Sequence, residues 1–161
     1  MSLTTQAPPS PGPEANLGYL FRLAHQRFVA ALEECVGDLG LSAQEYGILS
    51  VFETRRELST SDLARIAQVT RQTMHAAILR LESAGLLERD AQNRRVVLLR
   101  PTKQGRATMK TATRRVRALE RSAMTGLQRD EEQVVRGWLA QVAAGGTSEA
   151  ASRGASGGGR A

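Results

Sequence analysis

Apolar residues recur at three- and four-residue intervals near the start of the chain. Leu17, Leu20, Phe21, Ala24, Phe28, Ala31, Leu32 and Cys35 share one side of a 3.6-residue period. That spacing predicts a helix over about residues 14–36, ended by Gly37 and Gly40. Three more helix starts follow, each with the same signature. Ser42 stands three residues before Glu45, Ser59 three before Asp62, and Thr70 opens the next segment. The pairs Leu41/Tyr46, Leu58/Leu63 and Val69/Met74 are placed as hydrophobic staples across those starts. Only residues 68–70 separate the third helix from the fourth, which makes the pair a helix-turn-helix. Gly85 suits the left-handed end of the fourth helix.

The period then changes. Residues 86–89 and 95–100 read as two strands joined across 90–94, with Pro101 breaking the second and Thr102 capping a long fifth helix. In that helix Ala112, Val116, Leu119, Ala123 and Leu127 form a narrow apolar stripe. A sixth helix over about residues 130–144 is expected to bury Val134, Val135, Trp138 and either Leu139 or Val142. The expected fold is mostly α with a small β-wing. A winged helix-turn-helix over residues 41–105 is flanked by dimerisation helices at 14–40 and 106–144. Residues 1–13 are proline-rich and residues 145–161 are Gly/Ser/Ala-rich, so both read as disordered tails with too little apolar surface to offset ordering. The apolar faces of the first, fifth and sixth helices exceed what a small wing domain covers, which points to a homodimer.

Charge sharpens the picture. Residues 53–110 hold 12 Lys/Arg against 6 Asp/Glu, and the rest of the chain holds 10 of each, so the whole net charge of +6 lies in that segment. A basic patch confined to one region is the electrostatic footprint of a polyanion, here double-stranded DNA. Aromatics make up only 4% of the chain, which favours helices over a β-sandwich. A single cysteine excludes an intramolecular disulfide and suits a reducing cytoplasm. There is no apolar run near membrane-spanning length and no signal peptide, so the expected location is cytoplasmic, with no membrane partner.

The candidate chemistry is recognition. Arg71, Gln72, Thr73 and His75 lie on the first turns of the fourth helix, the part that reaches base edges in the major groove. Ala76 and Ala77 are of a size to lie against a thymine methyl. Arg94 and Arg95, at the tip of the hairpin, suit insertion into a minor groove. Arg55, Arg56, Arg89, Lys103 and Arg106 are candidates for phosphate contacts. Cys35 lies on the apolar stripe near a helix C-terminus with Glu33, Glu34 and Asp38 close by, so it reads as a structural thiol. His25 and His75 are far apart, and no cluster has metal-ligand spacing. No nucleophile–base pair or phosphate loop can be assembled, so neither enzyme activity nor a cofactor is expected. Two other readings remain open at this point: a winged helix used for protein interaction, and a non-specific architectural DNA-binding module.

The segments "LSAQEYGILSVF", "LSTSDLARIAQVTRQTMHAAILRLESAGLLER" and "NRRVVLLRPTKQG" occur in an order and spacing that resemble the MarR family of winged-helix regulators. The resemblance runs from about Leu41 to Gly105 and, more weakly, over the flanking helices. It implies a triangular homodimer joined through its terminal helices. It also implies control of transcription, usually repression relieved by a small-molecule effector or by oxidation. Two departures stand out: Asn93 where resembling wings carry Asp, and Ala76 where many members carry Arg.

Overall fold

The computed structural model describes residues 16–90 and 97–145, together with Gly12. Its elements are α1 (Leu17–Val36), α2 (Ala43–Ser50), β1 (Leu58–Ser59), α3 (Thr60–Ile66), α4 (Arg71–Ser83), β2 (Leu87–Asp90), β3 (Leu98–Pro101), α5 (Lys103–Ala123) and α6 (Arg129–Ala143). Both expected tails lie outside the described residues, apart from Gly12 and Gly145. The chain divides into two compact units, one up to Leu119 and one from Glu120 onward.

The starts of α2, α3 and α4 are satisfied by the residues expected to cap them. The Ser42 hydroxyl accepts from the Glu45 N–H, and the Glu45 carboxylate accepts from the Ser42 N–H at 2.9 Å, closing a full box. At Ser59 only half the box forms: the hydroxyl accepts from the Asp62 N–H and itself donates to the Asp62 carboxylate. Thr70 caps α4 through the Thr73 N–H at 3.1 Å. α1 starts later than expected, at Leu17, because the Asn16 side chain caps it by accepting from the Tyr19 N–H.

α3 and α4 end alike. The N–H groups of Gln68 and Val69 bond back to Arg65 and Ala64, and those of Gly85 and Leu86 bond back to Glu82 and Leu81. Both are Schellman closures, which need a left-handed residue just past the helix. Gly85 takes that place at φ 69° without strain; Gln68 takes it at φ 53° with a Cβ in the way.

Sequence periodicity gave two strands, whereas the sheet has three, in the order β1-β3-β2. β1 is only Leu58–Ser59, paired antiparallel with Leu99 and Leu98. Pro101 does not stand outside β3 but closes it, opposite Leu87. The core of the first unit gathers Val36, Ile48, Leu49, Leu63, Met74, Ile78, Leu81 and Leu99, with Ala112 and Val116 contributed by α5.

In the second unit α6 buries nothing fully, contrary to the expectation for its apolar stripe. Val135 and Val142 are half-buried, while Val134 is 71% exposed and Trp138 and Leu139 are also exposed. Arg136 holds Glu132 at 2.8 Å and Glu120 at 3.8 Å within this unit.

The wing is fastened to the start of α5 through one narrow junction. The Thr102 N–H donates to the Leu86 carbonyl at 3.1 Å, and the Thr102 hydroxyl donates to the Gly85 carbonyl at 2.6 Å while accepting from the Gly105 N–H at 2.9 Å. A Cβ on Gly105 would lie 1.9 Å from the Leu86 carbonyl oxygen, a backbone atom that cannot step aside. Gly105→Ala is therefore expected to cost about 3 kcal/mol or more in urea unfolding. Gly47, in α2, where a methyl group would meet nothing beyond its own helix backbone, is the control. Gly47→Ala should gain about 0.5–1 kcal/mol.

Candidate nucleic-acid interface

α4 has two unlike faces. Met74, Ala77, Ile78 and Leu81 are buried, whereas Arg71, Gln72, Thr73, His75, Ala76, Leu79 and Arg80 are exposed. The helix packs on α3, α2 and β2, so its polar face is held outward by a filled apolar one. The four residues singled out for base reading thus share one exposed face at the N-terminal end. Thr73 is partly committed, since its hydroxyl lies 2.8 Å from that of Thr70. Ala77 is fully buried, so of the two alanines only Ala76 is open to a base. Leu79 is exposed on the same helix, which its apolar character alone did not signal.

Arg94 and Arg95 lie outside the described residues, as does Asn93. The flanking strands carry other arginines, and these are paired. Arg89 forks onto Glu82 at 2.6 and 3.1 Å, and Arg100 reaches Glu88 directly across the ladder at 2.8 Å and Asp90 at 3.6 Å. The Glu82 carboxylate raises the Arg89 pKa further, so that side chain is a cation already matched. Arg106 donates to the Pro101 carbonyl. Arg55, Arg56 and Lys103 are exposed and form no ion pair among the described residues. Of the five candidate phosphate ligands, only Arg89 is ion-paired among the described residues, and those three have no side-chain partner there either.

Behind the recognition face sits one buried acid. Glu45 accepts from the Ser42 N–H on one oxygen and from Arg80 Nε at 2.7 Å on the other. Burial pushes its carboxyl up; the Ser42 N–H, the Arg80 guanidinium and the Ser42 hydroxyl together outweigh that and hold it below the ordinary 4.5. Elsewhere Arg115 grips Asp38 and donates to the Cys35 carbonyl at 3.2 Å, and its guanidinium holds the Asp38 carboxyl below the usual range. Cys35 itself is half-buried against the core. An open groove of about 310 Å³ lies beside the α3–α4 turn, lined by Ile48, Val51, Ile66, Val69 and Met74, with Gln44 at its polar side.

A family model described as "MarR family" matches residues 39–95. A helix-turn-helix transcriptional repressor from Mycobacterium tuberculosis is 29% identical over 131 residues, covering 80% of this chain and 94% of its own. The fold is similar to that of the transcriptional repressor CouR bound to a 23-mer DNA duplex (TM-score 0.75, 25% identity, 85% of this chain and 99% of that one). It is also similar to Bordetella bronchiseptica BpsR, whose DNA binding is regulated by 6-hydroxynicotinic acid (TM-score 0.70, 26% identity, 79% and 98% covered).

The Glu45 geometry carries a pH signature. A carboxyl held below its unfolded value contributes stability above that value and loses it as pH falls through the folded one. Glu45→Gln should lower stability at pH 7 by about 1–2 kcal/mol. It should also flatten the loss of stability below pH 4.5, as followed by urea melts from pH 7 to pH 3. A variant whose acid sensitivity matches the parent's would place that sensitivity on other carboxylates.

Proposed function

We propose that the chain is a MarR-family winged-helix transcription regulator and acts as a cytoplasmic homodimeric repressor that reads a two-part operator and releases it on binding a small molecule. The observation that carries this reading is α4. A capped helix with a filled apolar side and an exposed polar side lies within the segment that holds the chain's entire net charge. Arg71, Gln72, Thr73 and His75 are assigned to base edges, and Arg94 and Arg95 to the adjacent minor groove. Arg55, Arg56 and Lys103 are assigned to phosphates, with Arg89 and Arg106 as weaker contributors because each already has a partner.

Dimerisation is supported by apolar side chains left open in each unit: Leu17 and Leu20 on α1, and Val134, Trp138 and Leu139 on α6. A two-fold dimer presents two copies of α4 to two half-sites, and an effector acts through its differential affinity for two spacings. The effector's chemistry is not set by any charged group at the groove beside the α3–α4 turn, whose lining is apolar apart from Gln44.

Removing residues 128–161 should convert the dimer to monomer or aggregate at micromolar concentration, as read by light scattering. A dimeric truncation that still binds operator would refute the assignment of α6. A second experiment separates reading from holding. Gln72→Ala should lower operator affinity far more than random-DNA affinity, by roughly 1–3 kcal/mol of discrimination. Arg95→Ala should weaken both DNAs together and flatten the log–log salt slope by about one unit. The reverse pattern would mean that α4 does not read the bases.

A further inference from the structure

We propose that Arg80 is an additional DNA-phosphate ligand and that Glu45 is its positioning residue, orienting the guanidinium from inside the core. The inference rests on the DNA-binding reading of α4. Thr73 and Arg80 are seven residues apart, so they share one face of the helix, two turns and about 10 Å apart along its axis. A major groove is about 12 Å wide. With the first turns of α4 among the bases, a side chain two turns further along the same face arrives at the phosphate wall. Arg80 was not among the residues the sequence singled out, because nothing in the local pattern distinguishes it from any solvated arginine.

The orientation comes from the division of labour within the pair. Glu45 takes only the Nε–H of Arg80, and among the described residues neither terminal nitrogen has an acceptor. The Arg80 side chain is 56% exposed while that of Glu45 is 10% exposed. The carboxylate is itself anchored, because its second oxygen closes the α2 capping box on the Ser42 N–H. It is also the one buried charged side chain among the described residues of the core. A fork of two N–H groups, held at its base by a fixed acid and open at its outer edge, matches the two-oxygen face of a phosphate.

The test is a double-mutant cycle in the full-length protein, with operator and random duplexes titrated across a salt series at a temperature where melts show every variant folded. The parent must first bind operator; if it binds neither duplex, the DNA-binding reading itself falls. Arg80→Met, which keeps the stem and removes the cation, should weaken both duplexes about tenfold and flatten the salt slope by about one unit. Glu45→Gln should weaken binding severalfold with the slope unchanged, because the charge stays but its aim is lost. In the Arg80→Met background Glu45→Gln should then cost nothing further. Arg80→Lys, which keeps the charge without the fork, should retain the slope and lose affinity. Three results would overturn the proposal. One is an unchanged slope in Arg80→Met. Another is an equal cost of Glu45→Gln in both backgrounds, which would mark the pair as purely structural. The third is a steeper slope with tighter binding in Glu45→Gln, which would mean the acid withholds Arg80 from DNA.

Discussion

The carbonyl oxygen of Leu86 occupies the space where a side chain at position 105 would begin. That contact decides where the wing goes. α4 ends in a Schellman closure on Gly85 and Leu86, and the chain leaves directly into β2. The return strand β3 runs into Thr102, whose backbone and hydroxyl bind the same two residues and whose hydroxyl also caps α5. The end of the recognition helix, both wing strands and the start of α5 therefore converge on four residues. A methyl group there would separate all of them at once, since backbone on both sides leaves no flexible atom to yield.

Upstream, the same economy appears in Glu45. One carboxylate closes the start of α2 and holds the flank of α4, so the two helices share an acid. A buried charge is costly unless its hydrogen-bonding capacity is filled, and both oxygens here are engaged. The apolar side of α4 adds Met74, Ala77, Ile78 and Leu81, which leave no room for the helix to roll. The polar face is thus presented by a rigid body rather than by a loop.

What the amino-acid order disclosed, and what it withheld, follows from the range of the interactions involved. Ser42, Ser59 and Thr70 act on residues three positions away, so their caps were legible, as were the turn at Gly85 and the period of α4. β1 was not, because Leu58–Ser59 is too short for a period of two and its partner strand lies some forty residues on. The Glu45–Arg80 pair spans 35 residues and is invisible without the fold. Arg89 looked like a free cation until the path of β2 brought it onto Glu82. The apolar stripe of α6 was read correctly as a stripe. Its expected burial was not met within the chain, because periodicity states which residues share a face and not what covers that face.

Rigidity of α4 constrains how a regulator of this build can be switched. A helix pinned by a core face, a buried acid and closures at both ends cannot be silenced by local bending without unfolding the unit that carries it. In the proposed dimer, a signal must therefore move whole copies of α4 relative to each other and leave each copy intact. Two half-sites on DNA fix the separation that binds, so a shift of a few ångströms between copies is enough to lose one of them. The energy for that shift comes only from the effector's preference for one spacing, and about 5.5 kcal/mol of preference carries a population from almost all of one state to almost all of the other. An apolar groove beside the α3–α4 turn is well placed for such leverage, since it touches Val69 and Met74 at the start of α4 and none of the exposed side chains proposed to contact DNA.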